Sequence, residues 1–213
     1  RFIEKIPDTV QDIQNQQSKI LFESKPRSQI IVIGGGAAGF FGAIACATTH
    51  PNAQVTLLEA AHQPLAKVRI SGGGRCNVTH HCFEPALLVQ SYPRGGKALR
   101  GAFSRFQPRD TVNWFAAQGV KLKTEPDGRM FPVTDDSATI VDCLLHAAQA
   151  AGVTLRTRSP VVEIVPQSDQ YQIHLRSGEV LQGDRVLLAT GSSPQGLQFA
   201  KTLGHTIVPP VPS

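Results

Sequence analysis

Hydrophobic positions along the chain follow two different periods. Short apolar runs occur at Ile30–Ile33, within Gln54–Glu59 and within Arg185–Gly191, and Val153–Thr157 reads as a further strand suited to the same sheet. Runs of this length suit strands of a parallel sheet that is covered on both faces. Alternating segments at Val161–Val165, Tyr171–Arg176 and Val180–Leu181, with a Ser177-Gly178 turn, predict an antiparallel meander instead. Helical spacing predicts helices over Phe40–His50, 84–92, 96–106, 108–118 and about Gln195–Leu203. One more carries Ile140, Val141, Leu144, Leu145 and Ala148 as a single apolar stripe, with Asp135, Asp136 and Ser137 as N-cap candidates and Gly152 as its stop. Val120–Lys123 is strand-like, the turn after Glu125 leads into a short extended segment ending at Pro132, and His205–Val208 is extended. Trp114 and Phe115 read as packing residues, and His146 as a helix-surface residue.

This order of elements predicts an α/β chain with a parallel sheet and an antiparallel β-meander. Residues 1–29 differ from the rest: they are glutamine-rich, with Val10, Ile13, Gln17, Ile20 and Leu21 spaced for one amphipathic helix and Ser24–Ser28 as a linker. The reading therefore divides the chain into an extension over 1–29, a main domain over 30–208, and a short tail over 209–213.

The first strand stops on Gly34-Gly-Gly-Ala-Ala-Gly39. Gly34, Gly36 and Gly39 have the spacing of a dinucleotide-binding turn: one glycine for the turn, one for close backbone approach to a pyrophosphate, one for helix packing. Phosphates would sit on free N–H groups at the helix start. The second strand ends on Glu59, 20 residues past Gly39, where such a fold needs an acceptor for ribose hydroxyls. The carboxylate disfavours a 2′-phosphate, which leaves NAD and FAD open.

Composition narrows the setting. The chain has 213 residues, long enough to bury a core, and no apolar run of membrane-spanning length or secretory signal pattern. A soluble, cytoplasmic protein is expected, and the four cysteines, with no C-x-x-C pair, fit a reducing compartment. Met130 is the only methionine, so Arg1 reads as the product of cutting or processing. The net charge is +5, but Arg94, Lys97, Arg100, Arg105 and Arg109 are dispersed, with few aromatics among them. That favours a solvated basic face and a small-molecule substrate over a nucleic-acid or membrane partner.

A second glycine cluster, Ser71-Gly-Gly-Gly-Arg-Cys-Asn77, follows Lys67 and Arg69. Three glycines free backbone N–H groups to face a ligand, and Lys67 with Arg75 would balance phosphate charge. Taken together, Ile31–Gly39, Val68–Thr79, Gly128–Pro132, Leu188–Gly191 and Leu203–Pro212 resemble bacterial FAD-dependent oxidoreductases of the bile-acid dehydro-reductase or aminoacetone-oxidase type. The resemblance implies a glutathione-reductase-like Rossmann fold with FAD in an extended pose. It would place Gly34, Gly36, Ala38 and Gly39 on the pyrophosphate, and Glu59 on the adenosine ribose. Lys67, Ser71, Gly73, Arg75, Cys76 and Asn77 would line the flavin half. Val162 would give an adenine-side backbone contact, and Thr190 with Gly191 would close over the middle of the cofactor. Such a protein would pass a hydride between a reduced nicotinamide, NAD(P)H, or an organic substrate and the flavin. Ser192-Ser-Pro194 departs from the family's glycine-rich continuation. Similar proteins also continue into a substrate domain and a returning C-terminal segment, so the resemblance reads Ser213 as a truncation with that second domain largely absent.

The resemblance names no catalytic acid or base, and neither substrate nor oligomeric state follows from it. Three rival readings stand beside the oxidoreductase: a thiol-disulfide flavoenzyme using Cys76 and Cys82, a metal site at His80-His81-Cys82, and a non-catalytic or inactive FAD-binding fragment. The cysteines are one residue further apart than a redox pair of the glutathione-reductase kind. On a regular helix that turns them about 120° away from each other at 3.6 residues per turn, whereas a disulfide needs Cα atoms within roughly 7 Å. The histidine pair has no matching fourth-ligand cluster in the sequence.

Overall fold

The apolar run at the start of the main domain forms β1 (Gln29–Ile33), which sits inside a four-stranded parallel sheet. The structure, a computed structural model, describes residues 27–210. The sheet runs β10 (Arg185–Leu188), β1, β2 (Gln54–Leu58), β6 (Thr154–Arg156). β1 pairs in parallel with both neighbours, from Ile30 opposite Arg185 on one side and Gln29 opposite Gln54 on the other. Alternate residues of β1 enter two different cores. Val32 packs with Phe40, Leu57 and Val141 on one face, and Ile31 and Ile33 pack with Ile173 and Phe199 on the other. Both faces being buried explains why the run is continuous rather than alternating.

The first face is covered by two helices, α1 (Ala37–Thr49) and, later in the chain, α6 (Ala138–Ala150). α1 starts three residues before its predicted beginning, because Gly36 is extended and serves as the N-cap. At the start of α6 the three cap candidates separate. Asp136 Oδ1 accepts the Ala138 N–H at 2.8 Å, whereas the Ser137 hydroxyl donates to the Arg69 carbonyl at 2.8 Å. Asp135 turns to Lys123 and Arg75. Gly152, at φ +76°, follows the helix end as expected.

Between β2 and α6 lies the part least legible in the sequence. α2 (Ala66–Ile70) and the 3-10 turn Ser71–Gly74 occupy a stretch with little periodicity, followed by β3 (Thr79–His80). The helix predicted over 84–92 is shorter, α3 (Pro85–Leu88), because Val89–Ser91 tightens into a 3-10 turn and Tyr92 is extended. α4 (Gly96–Phe103) and α5 (Pro108–Ala117) follow, the latter opened by the Asp110 carboxylate accepting the Gln107 N–H at 2.8 Å. The strand-like segment after Val120 becomes β4 (Leu122–Thr124). It joins β5 (Arg129–Pro132) and β3 in a separate antiparallel sheet ordered β3–β5–β4.

The meander of β7 (Val161–Pro166), β8 (Tyr171–Leu175) and β9 (Val180–Gly183) forms as predicted and supplies much of the second core. The last parallel strand ends at Leu188 rather than Gly191. Ala189 still donates to the Ile33 carbonyl at 2.9 Å before Thr190 and Gly191 leave the sheet. α7 (Pro194–Thr202) closes the second face, and His205–Val208 has no regular structure. The amphipathic helix read over Val10–Leu21 and residues 211–213 lie outside the described residues. Among the described residues no helix is long and apolar enough to cross a membrane.

Candidate functional site

The site begins where β1 ends. Gly34 has φ +111°, and a β-carbon there would lie 2.5 Å from the Ala189 carbonyl oxygen, so only glycine fits the turn. A β-carbon on Gly39 would lie 1.9 Å from the Gly34 carbonyl oxygen, which fixes helix-to-strand contact. Gly36 is different: nothing lies within 4 Å of its β-position. α1 has no side-chain cap, so the first-turn N–H groups of Ala37, Ala38 and Gly39 have no intrahelical acceptor. An open space over orphan N–H groups at the start of a 13-residue helix suits an anion.

Glu59 follows β2 and is held against that turn. Its Oε2 accepts the Gly35 N–H at 2.8 Å and its Oε1 accepts the Ala61 N–H at 2.7 Å. A β-carbon on Gly35 would lie 2.7 Å from the same Oε2, so the middle glycine, silent in the motif, makes room for the acid. One donor on each oxygen leaves further lone pairs for hydroxyl groups.

Two hollows meet at Gly34, Glu59 and Thr190. The larger, about 670 Å³, is within the size range of cofactor sites. It is lined by Gly34, Gly36, Ala38, Lys67, Ser71, Cys76, Asn77, Thr190 and Gly191 among the residues singled out from sequence. It also has an apolar wall of Phe41, Leu65, Phe106, Phe115, Ile140 and Leu144, which sequence reasoning missed. Several of these also pack in the core, and nothing in their helical spacing separates a core face from a cavity wall. The smaller hollow, about 230 Å³, lies on the meander side between Ser159, Val161, Gln195 and Phe199.

The second glycine cluster contributes unevenly. Lys67 lines the large cavity and its Nζ donates to Ser192 Oγ at 2.9 Å, tying α2 to the loop after Gly191. Cys76 is 5% exposed, with φ +61°, and burial pushes its thiol up, opposed in part by a hydrogen bond with Ser71. Four predicted residues lie outside both linings: Gly39, which packs α1 on the turn, and Gly73, Arg75 and Val162. Arg75 turns away, 2.5 Å from Glu125 and 3.6 Å from Asp135, with its guanidinium 4.0 Å over the Phe131 ring. Its charge is met by carboxylates and leaves Lys67 as the cation of this cluster that lines the cavity. Val162 has an exposed side chain, and the register between β7 and β8 skips it, next to Val161 in the smaller hollow.

The cysteines Cys76 and Cys82 are free thiols with β3 between them, and Cys82 Sγ is 3.9 Å from the Glu84 carbonyl oxygen. His80 Nε2 is 3.0 Å from the Asp127 carbonyl oxygen, and the His81 ring packs on Phe83 at 4.4 Å. Among the described residues no group of three His, Cys, Asp or Glu side chains is placed to hold a metal ion.

The model of the HI0933-like protein Rossmann domain matches residues 28–211. A 3-dehydro-bile acid delta(4,6)-reductase of Clostridium scindens is 29% identical over 87% of the chain and 46% of its own length. A ribosomal RNA dihydrouridine synthase of Escherichia coli is 30% identical over 86% of the chain and 46% of its own length. The chain thus spans about half the length of the curated relatives it matches. Among solved structures, a flavocytochrome c3 fumarate reductase superposes with a TM-score of 0.61 at 20% identity, covering 96% of the chain and 45% of the other. Thermovibrio ammonificans THI4 superposes with a TM-score of 0.57 at 12% identity, covering 95% and 72%.

Proposed function

The chain belongs to the HI0933-like Rossmann-domain family, and from that membership we propose that it holds FAD across both hollows as part of an oxidoreductase. One observation carries this reading. Glu59, pinned by Gly35 and Ala61, stands where the hollow above the glycine turn meets the hollow beside the meander. An elongated dinucleotide crosses that point with its ribose at a carboxylate and its pyrophosphate at the start of α1. Gly34, Gly36 and Ala38 would receive the pyrophosphate, and Val161, Val162 and Gln195 would flank the adenine. Lys67, Ser71, Cys76, Asn77, Thr190 and Gly191 would orient the flavin half.

When bound, FAD supplies two-electron hydride chemistry. The chain's own residues would bind and orient it, and the apolar wall of Phe41, Leu65 and Phe115 would exclude water from that side of the cavity. The names of the two relatives both describe adding hydrogen across a carbon–carbon double bond, and we extend that reaction class to this protein. A substrate would gain a hydride on one carbon and a proton on its neighbour, with NAD(P)H restoring the electrons. No residue among the described ones is assigned to deliver that proton.

The test is equilibrium dialysis of the full-length protein against FAD and NAD, with wild type and Glu59→Ala. Removing a charged hydrogen-bond acceptor costs about 1.5–3 kcal/mol, so FAD binding should weaken roughly tenfold to a hundredfold. Equal FAD affinity in the two proteins would contradict the reading.

A further inference from the structure

The smaller hollow is lined by few polar side chains, and one of them is fixed in its hydrogen-bonding sense. Gln195 is the second residue of α7, and its side chain reaches across to β7, where its Nε2 donates to the Val161 carbonyl oxygen at 3.1 Å. Leu175, opposite Val161, sends its own N–H to the Glu179 carbonyl at 2.9 Å, so the Val161 carbonyl takes the Gln195 amide rather than a ladder bond. That contact decides which way round the amide lies. A backbone carbonyl only accepts, so the amide nitrogen must face it and Oε1 is the free end. Among the described residues no hydrogen bond reaches that oxygen, and Gln195 lines the hollow. The other polar groups there are committed or indifferent. The Ser159 hydroxyl donates to the Thr157 carbonyl at 3.0 Å, and Glu59 accepts from Gly35 and Ala61. Thr190 and Ser193 carry hydroxyls, which turn to donate or accept as a partner demands. The walls of buried Leu58, Val161 and Phe199 are apolar, and at about 230 Å³ the space is below the usual size for a whole ligand, which suits one ring system.

We propose that Gln195 selects the base of the bound dinucleotide, admitting a purine with an amino group at its 6-position and rejecting one with a 6-oxo group. The inference rests on the cofactor reading above and deepens it. A ribose held at Glu59, where the hollows meet, projects its base into the smaller one. There the 6-amino group of adenine donates to Gln195 Oε1 and completes the pairing of the amide. Hypoxanthine or guanine sets a carbonyl oxygen against that acceptor instead. Turning the amide over only moves the conflict, because Oε1 would then face the Val161 carbonyl oxygen.

The test titrates the flavin-stripped full-length protein with FAD and with flavin hypoxanthine dinucleotide, in which an oxo group replaces the adenine amino group, and follows flavin fluorescence. Wild type should bind FAD about tenfold more tightly, because the analogue leaves the acceptor without a donor. Gln195→Met keeps the length of the side chain and removes both hydrogen-bonding groups, and should bring the two affinities within about twofold of each other. Glu59→Ala should weaken both dinucleotides and keep their ratio, since it acts on the ribose. The unfolding midpoint of flavin-free Gln195→Met should match wild type, which separates base selection from folding. Equal affinities in wild type, or a preference for FAD that survives Gln195→Met, overturn base selection while FAD binding itself stands. A wild-type protein that binds neither dinucleotide overturns the cofactor reading, and base selection with it.

Discussion

Gly196 shows how one residue of α7 bears on the lining that the two hollows share. A β-carbon on Gly196 would lie 1.7 Å from Thr190 Oγ1, so α7 seats directly beneath the Thr190 loop, which lines both hollows. Gly196→Ala should push that loop out and lower FAD affinity about tenfold, a change of about 1.4 kcal/mol. Titration of flavin fluorescence reads this, and unchanged affinity would show that the loop is not constrained by α7. Cys76 gives a second test at this scale. Its burial favours the neutral thiol, so the unfolded chain ionises it first. Stability from this group is present below the ordinary thiol range and is lost as pH rises toward the folded value. At neutral pH, thiol-reactive labelling of Cys76 should be far slower in the folded protein than in denaturant, as mass spectrometry of the modified peptide would reveal; equal rates would mean the thiol is open.

At the scale of elements, legibility followed how a segment is buried. β1, β2 and the meander were readable because sheet strands buried on both faces or one impose a period on the sequence, as Ile31–Ile33 and Tyr171–Leu175 do. α2 was not, because Ala66–Ile70 buries only Val68 and leaves Ile70 74% exposed, giving no periodic signal. The glycine turn and Glu59 were legible through spacing alone. The turning of Arg75 toward Glu125 and Asp135 was not, because those acids lie 50 and 60 residues further on and only the antiparallel sheet brings them near. β1 itself is clamped at its start by Asp184, whose carboxylate accepts the Gln29 N–H at 2.6 Å and the Gln170 amide at 2.8 Å. These bonds hold the Asp184 carboxyl below its ordinary range, the Gln29 backbone contributing most. A depressed pKa stabilises the fold above the unfolded value and loses that effect as pH falls through the folded one. Asp184→Asn should therefore melt a few degrees lower at neutral pH, with the gap closing in acid; a gap constant with pH would sink this account of the clamp.

Across the whole molecule, the parallel sheet separates two cores, and the two hollows open near the carboxyl ends of β1 and β2. Ligands of open α/β sheets bind outside those strand ends. A cofactor bridging the hollows would tie α1, the second glycine cluster and the meander side together, and would stabilise the fold by about 2.7 kcal/mol at a hundredfold excess over its dissociation constant. The measurement that tests this most directly is the visible absorption spectrum of the purified full-length protein after FAD is added and free nucleotide is dialysed away, with the retained nucleotide identified by mass after denaturation. We expect flavin bands that survive dialysis, FAD as the released species, and marked loss of both in Glu59→Ala. A folded, colourless protein, or bands retained equally without the Glu59 carboxylate, would contradict that expectation.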